Sequence, residues 1–360
     1  MKQLFIRIVS IIMLITALFC TASAAEGISN PKTECGYELS IEGATGYGLI
    51  DLVVRSADDS SASKIMTAEA GQPFTILQGG NAYFKVRFED GTIGWVYKNY
   101  TLVNLPDVIP SIVYNDTNAT GSLFRSEGLE LEGITGQSLY SGKTYNARLG
   151  YEQFNMPVLY PMTKKIAAAQ SAALANSETL VLYEGYRPMS AQTAVCNSLR
   201  NLMSVNSTIR NDISKWGVAW FISTGVSNHQ RGYAIDVALA SVDSTKQLTV
   251  DDVVISIPVS YTMLNMPTQM HELSPRAATF TRGVKSNSKT AWKSAARAKT
   301  MTDDALKLQT YCTNAGLTPL ASEWWHFNDW DAQAASNGNG LGNFMIDGNL
   351  SVKPSEIFTF

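Results

Sequence analysis

Two short motifs, far apart in the sequence, constrain the fold of this chain more than any other feature. The first covers residues 223–236 and contains His229 and Asp236, and the second covers residues 323–326 and ends at His326. The whole chain has only three histidines, and two of them fall in these motifs. Two imidazoles and a carboxylate are three protein ligands for a tetrahedral zinc ion, with the fourth position left for water as in catalytic sites. The fold must therefore bring the two motifs together.

Two further side chains complete a candidate catalytic set. Glu323 offers the carboxylate that a water activated by zinc needs as its proton acceptor. Arg187 lies at a predicted strand-to-helix turn, where a fixed guanidinium can stabilise an oxyanion or hold a substrate carboxylate. Glu323 and His326 would point to opposite faces of a regular strand, so a twist or bulge is expected between them. These residues predict a zinc-dependent hydrolase.

Residues 1–25 are predicted to be a signal peptide. A basic start is followed by an apolar stretch, residues 8–20, that is short for a membrane span, and small residues at 22–24 fit a cleavage site. We expect cleavage there rather than a lipid anchor on Cys20, because a bulky residue precedes that cysteine. No later segment of the sequence is long and apolar enough to span a bilayer. The mature protein is therefore expected to be exported and soluble.

The charge of the chain argues against nucleic acid as its partner. The formal net charge of −3 becomes −5 after cleavage, because residues 1–25 contain two basic residues and no acidic ones. The sequence has no arginine-rich run and no basic patch of the kind that binds phosphate backbones. The length of the chain exceeds what one typical core holds, so two domains are expected.

Three cysteines follow the signal peptide, Cys35, Cys196 and Cys312. Cys196 and Cys312 fall in predicted helices of the same domain. A disulfide between them and a pair of buried free thiols are both compatible with the sequence. None of the three has the spacing of a thiolate metal site.

Residues 36–105 are predicted to form a small all-β barrel. Short segments with strand character are separated by residues typical of turns, and Asp90-Gly91 is a strong hairpin signal. The predicted strands are residues 49–55, 73–77, 82–88 and 92–97, with a polar loop at 56–63.

This segment resembles a bacterial SH3 domain. The resemblance is carried by Val54-Arg55-Ser56, by Tyr83-Phe84-Lys85-Val86 and by Asp90-Gly91-Thr92-Ile93-Gly94-Trp95-Val96. In exported bacterial proteins such modules commonly hold an enzyme against the cell wall. The resemblance therefore implies binding to the cell wall or its peptides, with a passive spacer as the alternative.

Residues 106–360 mix helices and strands that do not alternate as regular βαβ units. Such an order predicts an α+β domain with a mostly antiparallel sheet and flanking helices. Thr163 and Thr302 are predicted to cap two of the helices, and Gly316 to end the second of these. The predicted helices are residues 163–176, 189–204 and 302–315, and the main predicted strands are residues 179–183 and 234–239.

Residues 107–330 resemble the M15 family of zinc D,D-peptidases, which includes VanX-type D-Ala-D-Ala dipeptidases and VanY-type carboxypeptidases. The family pattern is Tyr-Arg-Pro or Tyr-Arg-Ser, then Ser-x-His-x-x-Gly-x-Ala-x-Asp, then Glu-x-Trp-His. This chain fills it with Tyr186-Arg187-Pro188, with Ser227-Asn228-His229-Gln230-Arg231-Gly232-Tyr233-Ala234-Ile235-Asp236 and with Glu323-Trp324-Trp325-His326.

The resemblance implies a role for each residue of the pattern. One Zn²⁺ would be held by His229, Asp236 and His326. Glu323 would act as general base and then general acid, and Arg187 would stabilise the tetrahedral intermediate. The substrate-binding residues would be Ser227, near the carboxylate end of the substrate, together with Trp325 and Tyr186.

Residues 265–274 resemble a stretch that carries, in the dipeptidases, an acid recognising the free amino terminus of D-Ala-D-Ala. Here His271 stands at that position and Glu272 follows it. This departure leaves room for a carboxypeptidase that acts on longer stem peptides. We expect His271 to be a surface or cleft histidine rather than a fourth metal ligand.

The sequence thus predicts an exported zinc D,D-peptidase that hydrolyses the D-Ala-D-Ala bond of peptidoglycan precursors or stem peptides. Three alternatives remain. One is a peptidoglycan endopeptidase of the same family that cuts between L-Ala and D-Glu. Another is a non-catalytic cell-wall-binding protein on this fold, as in the hedgehog signalling domain. In the third, the SH3-like module is the main functional unit and the larger domain is a scaffold.

Overall fold

The computed structural model describes residues 27–115, 124–132, 142–214, 216–285, 287–346 and 348–357. The predicted signal peptide, residues 1–25, lies outside these ranges. The strands are β1 (Thr45–Gly48), β2 (Leu52–Arg55), β3 (Lys64–Ala68), β4 (Pro73–Gly79), β5 (Tyr83–Phe88), β6 (Ile93–Tyr97), β7 (Thr101–Asn104), β8 (Val113–Tyr114), β9 (Arg125–Ser126), β10 (Leu129–Glu130), β11 (Lys143–Asn146), β12 (Tyr151–Phe154), β13 (Pro157–Leu159), β14 (Glu178–Glu184), β15 (Ala234–Val250), β16 (Val253–Met263), β17 (Thr318–Pro319) and β18 (His326–Asn328). The α-helices are α1 (Tyr160–Leu174), α2 (Met189–Val205), α3 (Ser207–Ser214), α4 (Val218–Phe221), α5 (Asp303–Asn314), α6 (Trp330–Ala335) and α7 (Pro354–Ile357).

The N-terminal region is all-β, as predicted. Its strands pair antiparallel in the order β13-β7-β1-β4-β5-β6-β2-β3. The hairpin between β5 and β6 turns at Gly91, whose φ of +84° is the left-handed conformation that glycine favours. The strands β1, β3 and β7 were not predicted, because each is short and lacks clear period-two alternation.

Two later segments of the chain pack onto this region. Strand β13 extends its sheet by pairing with β7. The C-terminal segment returns to it as well, since the Tyr47 hydroxyl donates to the Gly348 carbonyl at 2.9 Å and the Val352 N–H donates to the Gly43 carbonyl at 2.9 Å. The boundary predicted between residues 105 and 106 stays a prediction, and the parts on either side of it are joined by backbone hydrogen bonds.

The second large sheet carries the two motifs. Its order is β17-β18-β15-β14-β8, with β16 pairing along the far half of β15. All of its pairs are antiparallel except β8 with β14. Helices pack around this sheet, so the predicted α+β class with a mostly antiparallel sheet is confirmed. Strand β15 is far longer than predicted because its polar second half pairs with β16 in a long hairpin.

The predicted helices are present, with one wrong start. Helix α1 begins at Tyr160 rather than at Thr163, because Pro161 occupies its first turn, where a missing N–H costs nothing. Helix α5 begins as predicted: the Thr302 hydroxyl accepts the Ala305 N–H at 3.2 Å. No helix within the described ranges is both long enough and apolar enough to cross a membrane.

The cysteines of the described residues are free thiols. Cys196 on α2 and Cys312 on α5 are buried, and Cys35 is exposed. Burial raises the pKa of the Cys312 thiol, which keeps it protonated. Of the two alternatives left open by the sequence, buried free thiols are the one observed.

Gly232 fixes the first motif against the N-terminal sheet. Its φ is +72°, its carbonyl accepts the Leu159 N–H at 2.7 Å, and an added Cβ would lie 2.4 Å from Leu102 Cδ2.

We expect Gly232→Ala to lower the free energy of unfolding by about 1–3 kcal/mol, measured by urea denaturation. Gly225→Ala is the control, because a Cβ there has no atom within 4 Å. Equal stabilities of the two variants would contradict this assignment.

Candidate active site

The three predicted metal ligands meet at one point. Asp236 on β15 and His326 on β18 are direct cross-strand neighbours, and the loop before β15 brings His229 beside them. The Asp236 Oδ1 atom lies 3.0 Å from His326 Nδ1 and 3.3 Å from His229 Nε2. The two imidazole nitrogens are 3.1 Å apart. All three residues are buried.

The atoms of this triad that face one another are suited to binding a cation. His229 Nδ1 donates to the Gly185 carbonyl at 2.8 Å, which leaves a lone pair on Nε2. His326 Nε2 donates to Asn328 Oδ1 at 3.0 Å, which leaves a lone pair on Nδ1. Two imidazole lone pairs and a carboxylate oxygen therefore face one another, and their repulsion is relieved by a positive ion among them. Ligands about 2.0–2.1 Å from a tetrahedral zinc lie about 3.3 Å apart, which agrees with the spacings here.

The second oxygen of Asp236 has its own partners. Oδ2 lies 3.0 Å from His271 Nε2 and 3.4 Å from Arg187 Nη2. Burial opposes ionisation of this carboxyl, but the three histidines around it hold its pKa well below the usual range. Asp236 is therefore an ionised carboxylate whose orientation is fixed from both sides.

Arg187 is held rigidly beside the triad. Its Nε donates to Glu184 Oε1 at 2.9 Å, its Nη2 pairs with the other oxygen of Glu184, and its Nη1 donates to Gln192 Oε1 at 2.6 Å. Burial opposes the charged form, but the adjacent Glu184 carboxylate raises the pKa of Arg187 above its ordinary value. The guanidinium is thus a fixed positive charge beside the triad.

A turn explains how Glu323 and His326 face the same side. The Glu323 carbonyl accepts the His326 N–H at 3.4 Å, so the two tryptophans between them form a turn before β18 begins. Glu323 Oε2 lies 3.7 Å from His326 Nδ1. Burial raises the pKa of Glu323 to about 8. The irregularity expected from the sequence is this turn, which puts a carboxylate next to the three candidate ligands.

A cavity of about 380 Å³ opens onto these groups. Trp325 lies in its wall, as does Ser227, whose hydroxyl donates to Gln230 Oε1 at 2.6 Å. The apolar part of the lining includes Ala219, Trp220, Phe221, Ile222, Leu273 and Leu320.

Tyr186 is placed differently from Ser227 and Trp325. It is not among the residues that line the cavity. Its hydroxyl donates to the Phe344 carbonyl at 2.8 Å and its ring stacks on the Phe344 ring at 4.6 Å. Tyr186 therefore anchors the C-terminal segment next to Arg187, and its contact with a substrate stays a prediction.

His271 and Glu184 belong to the site, and neither was predicted to take part in it. His271 is buried in the cavity wall, with a φ of +59° and its ring stacked on Phe124 at 4.3 Å, which is the cleft position among the two expected for it. A signal for His271 was available, since it is the one histidine outside the two motifs. Glu184 precedes Arg187 by three residues, and an acid at the end of a buried strand was a sign of an ion pair.

The comparisons with known proteins divide the chain in two. Residues 144–339 match the family model of D-Ala-D-Ala dipeptidases, peptidase family M15, and residues 51–101 match the model of the bacterial SH3 domain. No curated protein matches the chain. A solved structure, described as a novel NlpC/P60 endopeptidase from Photobacterium damselae subsp. piscicida, is 11% identical over 67% of this chain and 70% of that one. Its TM-score of 0.17 is too low for a shared fold.

Proposed function

Because the chain belongs to the M15 family of D-Ala-D-Ala peptidases, which are metallopeptidases, we propose that it hydrolyses the D-Ala-D-Ala bond of peptidoglycan precursors or stem peptides with one zinc ion. One observation is the main support for the proposal: three atoms that could bind a metal converge in the same cavity as a buried carboxylate and a fixed guanidinium. These atoms are His229 Nε2, Asp236 Oδ1 and His326 Nδ1. Glu323 and Arg187 line the same cavity.

The residues of the site divide the reaction between them. His229, Asp236 and His326 would hold the zinc ion, which would supply the Lewis acidity that activates water and polarises the scissile carbonyl. Glu323 accepts a proton from the attacking water as the new C–O bond forms. Arg187 stabilises the negative charge that develops on the carbonyl oxygen. Glu323 then gives its proton to the leaving amine nitrogen as the C–N bond breaks.

The environment of Glu323 supports both of its roles. Its raised pKa makes the protonated form accessible near neutral pH, as an acid requires. A nearby cation favours the ionised form, as a base requires. A single carboxylate can therefore accept and return a proton within one catalytic cycle.

The direct test uses the chain without residues 1–25, loaded with zinc. It is incubated with D-Ala-D-Ala and with a stem pentapeptide that ends in D-Ala-D-Ala. We expect release of D-alanine, loss of this release with a chelator, and recovery on adding zinc. Product analysis on the pentapeptide also detects cleavage between L-Ala and D-Glu. No D-alanine from either substrate would reject the proposal.

We also propose that the chain acts outside the cytoplasm, at the cell wall. The signal peptide predicted at residues 1–25 and the bacterial SH3 match support this location. A groove on the SH3-like region is suited to wall peptides. Three tyrosines line it, and the ring centroid of Tyr97 lies 5.5 Å from that of Tyr83 and 5.1 Å from that of Tyr100. Asp51 and Arg55 line the same groove and offer both signs of charge.

We expect Tyr97→Ala to weaken binding to purified cell walls by about tenfold or more, because central aromatic residues dominate such contacts. The measurement is co-sedimentation of the protein with insoluble walls. Tyr145→Ala is the matched control, since Tyr145 is 64% exposed and lies outside the groove. Hydrolysis of a small soluble substrate should be unchanged in both variants. Undiminished sedimentation of Tyr97→Ala would exclude this groove as the wall-binding surface.

A further inference from the structure

We propose that residues 276–299, here called the basic segment, bind a linear phosphate-bearing polymer of the cell wall beside the mouth of the active-site cavity. Only the location of this partner rests on the proposed function, which places the chain at the wall. The basic segment holds seven of the 28 lysines and arginines of the chain and none of its 31 acidic residues. The seven are Arg276, Arg282, Lys285, Lys289, Lys293, Arg297 and Lys299.

The charges of the basic segment face solvent and are largely uncompensated. All seven basic residues are exposed. Lys289 pairs with Asp331, and none of the other six forms an ion pair with a described residue. The chain as a whole has a formal net charge of −3, so its positive charge is concentrated on this surface. A local concentration of one sign of charge attracts partners of the opposite sign.

The basic segment folds back on itself as a closed loop. The Thr281 N–H donates to the Ala296 carbonyl at 2.9 Å, and the Ala298 N–H donates to the Thr279 carbonyl at 3.0 Å. The basic residues are spread along the sequence rather than contiguous, which is why no basic patch was expected from it. Pairing of the two ends of the loop brings together cations that lie far apart in the segment.

The loop offers the groups that recognise phosphate. A hollow of about 500 Å³ in it is lined by Arg282 and Lys285 and by no carboxylate. Arginine matches phosphate oxygens with two parallel N–H groups, and lysine binds them as a point charge. A polymer with many phosphates can contact several of these cations at once, and each contact releases counterions condensed on the polymer. A linear polymer therefore suits this surface better than a single phosphate ion.

The basic segment lacks the features of a membrane-binding surface. Its regular structure includes only the short 3-10 turns Pro275–Ala277 and Ala291–Ser294, and no large apolar residue of the described part of the segment is exposed. Trp292 is half-buried, and its Nε1 donates to the Lys289 carbonyl at 2.9 Å. Interfacial binding to membranes normally buries the apolar face of an amphipathic helix. We therefore favour a polymer of the wall over a lipid surface.

The basic segment packs against the wall of the active-site cavity. A Cβ on Gly283 would lie 3.3 Å from Trp220 Cζ3, and Trp220 lines the cavity. The N–H groups of Thr279 and Phe280 donate to the Ala321 carbonyl at 2.9 Å and 3.1 Å, and both sequence neighbours of Ala321 also line the cavity. A polymer bound here would hold the mouth of the cavity close to the wall.

The test measures binding of inorganic polyphosphate to the full-length mature chain by calorimetry at several salt concentrations. The variant replaces Arg282, Lys285 and Arg297 together by glutamine. We expect the variant to bind about tenfold or more weakly at low salt, and its plot of log K against log salt concentration to be shallower by about two to three. Absence of binding by the wild type, or an unchanged slope in the variant, would overturn the proposal. Binding needs no hydrolysis, so the outcome is independent of the proposed reaction.

A second triple variant controls for net charge. It replaces Lys164, Arg200 and Arg210 by glutamine, which are exposed on helices α1, α2 and α3. It loses the same charge and should bind polyphosphate like the wild type. Equal weakening in both triple variants would show that the charge of the whole chain, rather than the basic segment, drives binding, and would overturn the proposal.

Three further measurements identify the partner. Co-sedimentation with purified walls should weaken when their phosphate-bearing polymers are removed chemically, and this change should be absent in the variant of Arg282, Lys285 and Arg297. No effect of the removal on the wild type would overturn the proposal. Poly-L-glutamate and phosphatidylglycerol vesicles should bind more weakly than polyphosphate. Tighter binding of either one through the basic segment would assign the surface to a carboxylate polymer or to a membrane instead.

Discussion

Replacing Glu323 by glutamine is expected to remove peptide hydrolysis while zinc stays bound. The side chain keeps its size in its buried position, and the three ligand atoms are supplied by other residues. The amide cannot accept a proton from water, so the contribution of general base and acid is lost. We expect kcat to fall by about 10²–10⁴-fold, with a much smaller change in KM. Zinc content, measured by atomic absorption, should remain at one ion per chain.

Glu272→Gln is the matched control for this experiment. Glu272 is also a buried glutamate near the site, but its carboxylate accepts the Gly128 N–H and it is not among the cavity-lining residues. An amide oxygen can keep that hydrogen bond, so near-normal turnover is expected. If Glu323→Gln retained more than about a tenth of wild-type kcat, another group would have to be the base.

The convergence of His229, Asp236 and His326 could be predicted from the sequence, because residues of these types lie in two short motifs. His229 and Asp236 sit on either side of Gly232, and that glycine adopts the left-handed conformation that the close approach requires. His326 required one long-range assumption, that the second motif pairs with the first. The register of β18 with β15 fulfils it by setting His326 directly opposite Asp236.

The contacts of His271 and Tyr186 could not be predicted in the same way because their partners are distant in sequence. His271 joins the site through Asp236, which lies 35 positions earlier, and its place depends on a left-handed backbone that no local pattern signals. Tyr186 shows the opposite case. Its neighbour Arg187 lines the cavity, whereas Tyr186 turns to the C-terminal segment, whose return to this region is set by tertiary packing.

The predicted boundaries of helices and strands were wrong where one signal overrode another. Thr163 is an acceptable helix cap, but Pro161 and the preceding strand β13 let the helix start earlier, so Thr163 is buried inside α1. The second half of β15 is polar and carries no core pattern. It is a strand because β16 supplies its hydrogen bonds, which only the folded hairpin provides.

Asp236→Asn is expected to abolish zinc binding and to lower the stability of the fold. An asparagine offers one oxygen and one amide N–H₂ group. If the oxygen faced the zinc, the amide N–H₂ would meet the donors of His271 and Arg187. If the group were flipped, its oxygen would accept from His271 and Arg187 and its N–H₂ would donate to the imidazole lone pairs, which satisfies the hydrogen bonds but offers no lone pair to the zinc. In both orientations Arg187 loses one of its two negative neighbours and keeps Glu184. We therefore expect the free energy of unfolding to fall by about 1–3 kcal/mol.

Thermal unfolding with and without zinc measures both effects of this substitution. In the wild type, zinc binds the folded state and should raise Tm, by more the higher the zinc concentration, whereas the Tm of Asp236→Asn should not respond to zinc or to a chelator. Asp243→Asn is the matched control, since Asp243 lies on the same strand, is exposed, and accepts the Thr262 hydroxyl at 3.0 Å. That control should bind zinc and unfold like the wild type. One equivalent of tightly held zinc in Asp236→Asn would contradict the assignment of the Asp236 carboxylate as an essential ligand.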